Sequence, residues 1–243
     1  MSESPGYKHD GFCPVCARAA TFVAGHSWYR DFLVCTHCGS VPRERAMATA
    51  IEGVLPNWRT VRIHESSPSN RGISRRMAEE CPAYQATQYF PQWPTGEPHE
   101  GVRNENLERQ TFADESFDLV VTLDVMEHVF DPGLVCREVS RTLRPNGYYI
   151  FTTPTYKEAV LSRQVARQTE TGIEIDGEPM YHGNPVDPNG SLVTWLYGYD
   201  LAELIHAWSG LDVSVTRFHN HRLGIIGEHT EVYVCQKPDT LAV

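Results

Sequence analysis

Residues 117–154 read FDLVVTLDVMEHVFDPGLVCREVSRTLRPNGYYIFTTP, and this stretch decides the fold class. Phe117 to Leu123 form a nearly unbroken apolar run, which is typical of a parallel strand buried on both faces. Asp131-Pro132 supplies an N-cap side chain and a proline at the first helical position. Pro145-Asn146-Gly147 ends this helix, and Tyr148 to Thr153 are rich in strand-forming residues. Strand, helix and strand together predict half of a doubly wound α/β domain.

Apolar spacing outside this stretch predicts the remaining elements of a mostly parallel sheet. The last two strands are expected to form an antiparallel pair at the sheet edge, and a helical stretch is expected after Pro154. The predicted helices are Ser40–Leu55, a helix that follows the loop Ser66–Gly72 and runs to about Cys81, and Tyr199–Ser209. The predicted strands are Val61–Glu65, Tyr84–Phe90, Val102–Leu107, Leu211–Phe218 and Glu231–Gln236.

The composition is that of an ordinary globular protein with one sizeable core. The chain has 243 residues, 41% of them hydrophobic, and a formal net charge of -10. This negative charge counts against a nucleic-acid partner. No apolar run approaches the roughly 20 residues that span a bilayer, and the N-terminus lacks the pattern of a signal peptide, so a cytoplasmic location is expected. Nothing in the composition indicates the oligomeric state.

Four of the seven cysteines stand in two closely spaced pairs. Cys13 and Cys16 form one C-x2-C pair, Cys35 and Cys38 form the other, and eighteen residues separate the pairs. Two such turns can direct four thiolates at one tetrahedral zinc ion, and a closed site of this kind is structural. Disulfides are the competing interpretation, which a cytoplasmic chain disfavours. His26 or His37 could also replace one cysteine as a ligand.

The cysteine pairs and the predicted strands and helices divide the chain into two parts. Residues 1–42 are predicted to form a small zinc-ribbon-like module, and residues 43–243 the α/β domain. Residues 43–56 would form a helix that links them. Residues 169–198 are polar and rich in turn-forming residues, and we expect them to form a lid-like insertion.

The ordered series FDLVV, EHV, LRPNG and TP resembles the middle of class I S-adenosylmethionine-dependent methyltransferases, in particular the type 11 group. The resemblance runs from about Val61 to the end of the chain and is closest between Asn104 and Pro154. It implies a Rossmann-like fold and S-adenosylmethionine as cofactor.

The resemblance also implies where the cofactor would bind. The family usually has a glycine-rich loop after its first strand, whereas this chain has ESSPSNRG at residues 65–72, similar to an E-x-S-type segment found in a zinc-ribbon-containing subgroup. Gln88 stands where the family has an acidic residue for the ribose, and Asn106 where it has one near the adenine. The implied cofactor-binding residues are Glu65, Ser66, Ser67, Asn70, Gln88, Asn106, Leu107 and Asp124.

Ionisable residues follow the strand Phe117–Leu123, at the edge where open α/β sheets bind ligands. His128 is the first candidate for a general base, and Glu127 could orient it. Alternatively, both side chains only hold their loop in place by hydrogen bonds. His182, in the polar segment Tyr181-His182-Gly183-Asn184-Pro185, is a second candidate base.

Together these features predict a methyltransferase that acts on a small-molecule or glycan acceptor by O- or N-methylation, with a structural zinc ion. An RNA methyltransferase that grips RNA with the zinc module is one alternative. A non-catalytic protein that retains the methyltransferase fold is another.

Overall fold

The structure is a computed structural model that describes residues 6–184 and 187–239. Its α-helices within these ranges are α1 (Tyr29–Phe32), α2 (Pro42–Val54), α3 (Gly72–Glu80), α4 (Pro132–Thr142) and α5 (Leu201–Ser209). Its strands are β1 (Tyr7–Cys13), β2 (Arg18–Ala24), β3 (Val34–Cys35), β4 (Ile63–Ser66), β5 (Tyr84–Gln88), β6 (Pro98–His99), β7 (Val102–Asn104), β8 (Phe117–Leu123), β9 (Leu143–Thr152), β10 (Arg163–Gln164), β11 (Ala166–Thr169), β12 (Gly172–Ile175), β13 (Tyr181–His182), β14 (Ser191–Leu192), β15 (Trp195–Leu196), β16 (Asp212–Arg217) and β17 (Glu231–Gln236).

An eight-stranded sheet forms the centre of the molecule, in the order β16-β17-β9-β8-β4-β5-β7-β6. Strands β9, β8, β4, β5 and β7 run parallel to their neighbours in this series, whereas β17 is antiparallel to β9 and β16 is antiparallel to β17. The strand order reverses direction at β4 and β8, so the carboxyl ends of these two strands lie at the topological switch point. The predicted Rossmann-like sheet and its antiparallel edge pair are confirmed.

Strand β8 is buried on both faces, as its apolar run predicts. Leu119 and Val121 belong to one hydrophobic cluster, which helices α2 and α3 cover with residues such as Met47 and Met77. Val120 points to the other cluster, which α4 and α5 cover. Alternate residues of the strand therefore enter opposite cores, since successive side chains of a strand point to opposite faces.

The N-terminal module packs directly on the α/β domain. Phe22 of β2 lies in the same hydrophobic cluster as α2 and the central sheet. Gly224 approaches the Phe22 ring so closely that a Cβ there would lie 2.8 Å from it. The buried guanidinium of Arg45 lies 4.4 Å from the centre of the Phe22 ring and donates hydrogen bonds to the Gly224 carbonyl. The module and the domain thus share one core.

The predicted helical stretch after Pro154 is wrong. The segment forms turns and strand β10, because its backbone groups bond to a later segment instead of to one another. The Tyr156 amide donates to the Tyr197 carbonyl, and the Val165 amide donates to the Thr194 carbonyl. Tertiary pairing here overrides a helical spacing of apolar residues.

The polar segment expected as a lid consists largely of short antiparallel pairs. Strand β11 pairs with β12, β13 with β14, and β10 with β15. Pro185 and Val186 of the predicted insertion lie outside the described residues, as do residues 1–5 of the predicted module and residues 240–243 of the predicted domain. Among the described residues, no helix combines the length and the apolar character that crossing a membrane requires.

Candidate functional site

Four cysteine thiols meet in the N-terminal module. Cys13 and Cys16 flank the turn between β1 and β2, and Cys35 and Cys38 flank the turn after β3. The Sγ atoms of Cys13 and Cys38 are 3.7 Å apart, those of Cys16 and Cys35 are 4.0 Å apart, and all four lie within 4.8 Å of one another. These separations are too long for disulfides. They are close to the edge of about 3.8 Å that zinc–sulfur bonds give a tetrahedron.

Polar groups from outside the two cysteine pairs surround this cluster. The Ser40 hydroxyl lies 3.4 Å from the Cys13 sulfur and 3.2 Å from that of Cys38. The Arg45 guanidinium donates to the Ser40 carbonyl. His26 is not part of the cluster; its Nδ1 accepts a hydrogen bond from the Trp28 amide at 2.9 Å. The four cysteines are therefore the set that could hold a metal ion here.

A buried ion pair joins the module to the carboxyl end of β8. Arg30, from α1, donates to Asp124 with both terminal nitrogens, at 2.8 and 2.7 Å. Arg43, from α2, lies 3.1 Å from the same carboxylate, which also accepts a hydrogen bond from Thr152. Burial raises the pKa of Asp124, but the charges of Arg30 and Arg43 outweigh burial and hold the pKa well below its usual range. Asp124, expected at the cofactor, is engaged by two arginines.

Helix α2 also reaches the first turn of α3. The Glu44 carboxylate is buried, accepts from the Arg71 side chain at 3.1 Å and lies against Gly72. A Cβ at Gly72 would lie 2.1 Å from Glu44 Oε2, so there is no room for a side chain. The φ of Gly72 is +58°, a backbone conformation that also favours glycine. The one glycine left in the loop after β4 therefore makes room for Glu44, a contact that sequence reasoning missed.

Glu65 is fully buried near the carboxyl end of the central strand β4. Its carboxylate accepts hydrogen bonds from the Ser74 hydroxyl at 2.6 Å and from the Tyr84 hydroxyl at 2.8 Å. Burial raises the pKa of Glu65 to about 7, and these two hydrogen bonds only partly offset that effect. Glu65 thus links α3 and β5 to β4 by hydrogen bonds, next to the carboxyl end of β4 where the cofactor is predicted to bind.

The other predicted cofactor residues lie along the carboxyl ends of β4, β5 and β7. Ser66 ends β4 and is buried, Ser67 follows with φ of 56°, and Asn70 is exposed. Gln88 ends β5, partly buried, opposite Asn104 of β7. The side chain of Asn106 accepts from the Glu108 amide, and Leu107 is buried. Their role in binding the cofactor stays a prediction.

Glu127, His128 and His182 come together, as a site built from these residues requires. One ligand atom from each lies within 4.8 Å of the others. Glu127 Oε1 is 3.5 Å from His182 Nδ1 and 3.8 Å from His128 Nε2, and the two imidazole rings meet edge to face at 5.0 Å. Glu127 Oε2 accepts a hydrogen bond from the Thr153 hydroxyl. The catalytic role of the three residues stays a prediction.

The insertion is tied to the loop that carries Glu127 and His128. His128 Nδ1 lies 2.8 Å from the Leu192 carbonyl, and the Thr194 amide donates to the Glu127 carbonyl at 2.8 Å. The Tyr197 hydroxyl donates to the Met126 carbonyl at 2.7 Å. Strands β13 and β14 thereby bring His182 to a position that no sequence spacing indicates.

Comparisons with known proteins support the fold described above. Residues 74–151 match the family model described as methyltransferase domain. The crystal structure of an S-adenosylmethionine-dependent methyltransferase from Mesorhizobium loti superposes with a TM-score of 0.50 at 17% identity, over 79% of this chain and 97% of that one. Residues 74–151 thus match a methyltransferase domain, and the chain has the fold of the matched methyltransferase structure.

Two further proteins are similar to parts of this chain. CalS10 of Micromonospora echinaspora, an amino pentose methyltransferase, has a TM-score of 0.51 at 11% identity over 82% of this chain and 92% of that one. A Mycolicibacterium smegmatis protein named probable S-adenosylmethionine-dependent methyltransferase is 37% identical over 57 residues, 24% of this chain. The match spans only 22% of that relative. The structural matches describe the fold of the domain.

Proposed function

We propose that the protein transfers a methyl group from S-adenosylmethionine to a small-molecule or glycan acceptor. The observation that carries the proposal is the meeting of Glu127, His128 and His182 at the carboxyl end of β8, beside the switch point of a methyltransferase-type sheet. Methyl transfer needs a positioned nucleophile and, for a hydroxyl or amine, a group that removes its proton. His128 is the base in this proposal, with Glu127 and His182 beside it.

The donor groups along the neighbouring edge suit the cofactor. The amides of Asn70, Gln88 and Asn106 can hydrogen-bond ribose hydroxyls and an adenine edge without a carboxylate. Arg71, which is paired with the buried Glu44, places a positive charge at the start of α3 that can attract the carboxylate of an amino-acid head group. When bound, S-adenosylmethionine supplies an electrophilic methyl group; these residues would hold and orient it.

The acceptor is proposed to be small because the protein is negatively charged and the side chains of the candidate site are only partly exposed. The net charge of -10 repels polyanions such as RNA. The side chains of His128 and His182 are 16% and 36% exposed, so an acceptor could reach only part of each imidazole ring. Partly covered side chains of this kind favour a sugar or small metabolite with a hydroxyl or amine over a folded macromolecule.

The cysteine cluster is proposed to bind one structural zinc ion. Four thiolates leave no open coordination position, so the ion would organise the module and not take part in chemistry. The module in turn carries Arg30, which reaches the carboxyl end of β8.

Calorimetric titration with S-adenosylmethionine, followed by transfer of a labelled methyl group to panels of sugars, amines, phenols and RNA, tests this proposal. Binding together with labelling of a small acceptor supports it. Labelling of RNA alone would instead support the RNA methyltransferase. No binding at millimolar cofactor, with the protein folded and zinc-loaded, would leave a non-catalytic methyltransferase fold.

A further inference from the structure

The Glu127 carboxylate has an oxygen that its surroundings leave unpaired. Glu127 is 1% exposed, and its Oε1 has no hydrogen-bond partner among the described residues. A buried carboxylate oxygen without a partner costs free energy, and a bound water or ion, a catalytic role or local strain explains such atoms in native structures. This oxygen faces two imidazole nitrogens, at 3.5 and 3.8 Å. Both separations are too long for good hydrogen bonds.

The His128 ring is oriented so that its Nε2 faces Glu127 Oε1. Its Nδ1 lies 2.8 Å from the Leu192 carbonyl, which can only accept a hydrogen bond, so Nδ1 carries the proton. In a neutral ring Nε2 then presents a lone pair toward Glu127 Oε1. A backbone carbonyl that fixes the tautomer and orientation of a ring is the usual outer contact of a metal-bound histidine.

The three facing atoms suit one metal ion. Ligand bonds of about 2.0–2.2 Å place neighbouring ligand atoms roughly 3–3.5 Å apart, close to the separations here. Two imidazoles with one carboxylate favour zinc, iron, manganese or cobalt over magnesium, which prefers oxygen ligands. We propose that Glu127, His128 and His182 bind a divalent transition-metal ion, separate from the cysteine cluster, with coordination positions left open toward solvent.

Metal binding would change how the acceptor is activated. A coordinated His128 nitrogen has no lone pair left for a proton, so it would be a ligand and not a base. The ion would instead bind the oxygen of an acceptor hydroxyl and lower its pKa, so that the proton would pass to solvent water before the oxygen attacks the methyl group. This second step rests on the proposed function, whereas metal binding itself can be measured without cofactor or acceptor.

Cobalt titration of the zinc-loaded protein, after removal of weakly bound metal, tests the site. We expect about one additional Co²⁺ per chain, with visible d–d bands and without the near-ultraviolet thiolate charge-transfer band that a cysteine site would give. In Glu127→Gln and His182→Ala, cobalt affinity should fall by more than the roughly 10–100-fold that loss of a supporting outer group costs. His219→Ala, which removes an exposed imidazole elsewhere, should bind cobalt like the wild type.

Two outcomes would overturn the site. One is the absence of additional cobalt bands in the folded wild-type protein. The other is unchanged affinity in His182→Ala, a partly exposed side chain whose removal leaves the core intact. If metal binding fails while labelled methyl transfer persists, the base role of His128 stands without the ion. If cobalt binds but no cofactor does, the metal site stands and the methyltransferase proposal fails.

Discussion

Arg30 and Asp124 form a bidentate ion pair across 94 residues of sequence, with nitrogen–oxygen distances of 2.8 and 2.7 Å. Arg30 belongs to the cysteine-containing module, and Asp124 follows β8 in the left-handed region, at φ of 54°. The Arg30 side chain is 5% exposed and that of Asp124 is 17% exposed, so water screens the pair weakly. The module is thereby fixed at the edge of the sheet where the candidate site lies.

Asp124→Asn should destabilise the protein strongly. The substitution removes the bidentate partner of Arg30 and leaves Asp31 as the remaining carboxylate beside Arg30 and Arg43. Breaking a buried ion pair costs about 3–5 kcal/mol. The free energy of unfolding in urea measures the effect. Asp176→Asn is the matched control, because Asp176 pairs with Arg163 on the exposed surface and its loss should change little. Equal effects of the two substitutions would show that the Asp124 pair does not hold the module.

Glu65 should make the protein less stable as the pH rises. Its pKa is about 7 in the folded protein and about 4.3 in the unfolded chain, so the folded state holds a proton that the unfolded state releases. The resulting stability is present at low pH and is lost between about pH 4.3 and 7, by about 4 kcal/mol.

The difference between wild type and Glu65→Gln in urea unfolding, followed from pH 4.5 to 8, isolates this contribution. We expect the wild type to lose stability relative to the variant across that interval. Glu79→Gln, which removes an exposed carboxylate, controls for general charge effects and should run parallel to the wild type. A parallel course for Glu65→Gln as well would contradict the raised pKa.

Cys35→Ser should release one zinc ion per chain and loosen the module. Three thiolates bind zinc less tightly than four, and the fold of a small zinc module depends on its ion. Metal content by mass spectrometry, compared with the wild type, gives the count. Cys136→Ser, a buried cysteine far from the cluster in α4, should keep its zinc. Unchanged zinc in Cys35→Ser would refute the site.

Local patterns predicted the parts of the molecule that local physics determines. The run Phe117–Leu123 became β8 with the predicted bounds, because an unbroken apolar run suits a strand buried on both faces. The spacing of the cysteine pairs likewise predicted the cluster of four thiols, since two residues between cysteines make a tight turn.

Contacts between distant segments were beyond such reasoning. Arg30 pairs with Asp124, and Glu44 contacts Gly72. Both contacts depend on how the N-terminal residues pack on the sheet, which the spacing of residues along the sequence does not indicate. Arg30 stands among aromatic residues of the module, but its position in the sequence does not indicate Asp124 as its partner. The expected helix after Pro154 failed because its backbone pairs with residues 194–197. His182 reaches Glu127 through a different pairing, that of β13 with β14.

His128→Ala should slow methyl transfer by about 10²–10⁴-fold if His128 acts on the acceptor's proton, and should leave cofactor affinity almost unchanged. His219→Ala removes an exposed imidazole and should keep the wild-type rate. The remaining explanation is that His128 only holds the insertion through its bond to the Leu192 carbonyl. His128→Asn separates the two, because the asparagine amide can replace the Nδ1 donor but not the second nitrogen. Recovery of the rate in His128→Asn would assign His128 a holding role, whereas a rate as low as that of His128→Ala would place its Nε2 in the chemistry.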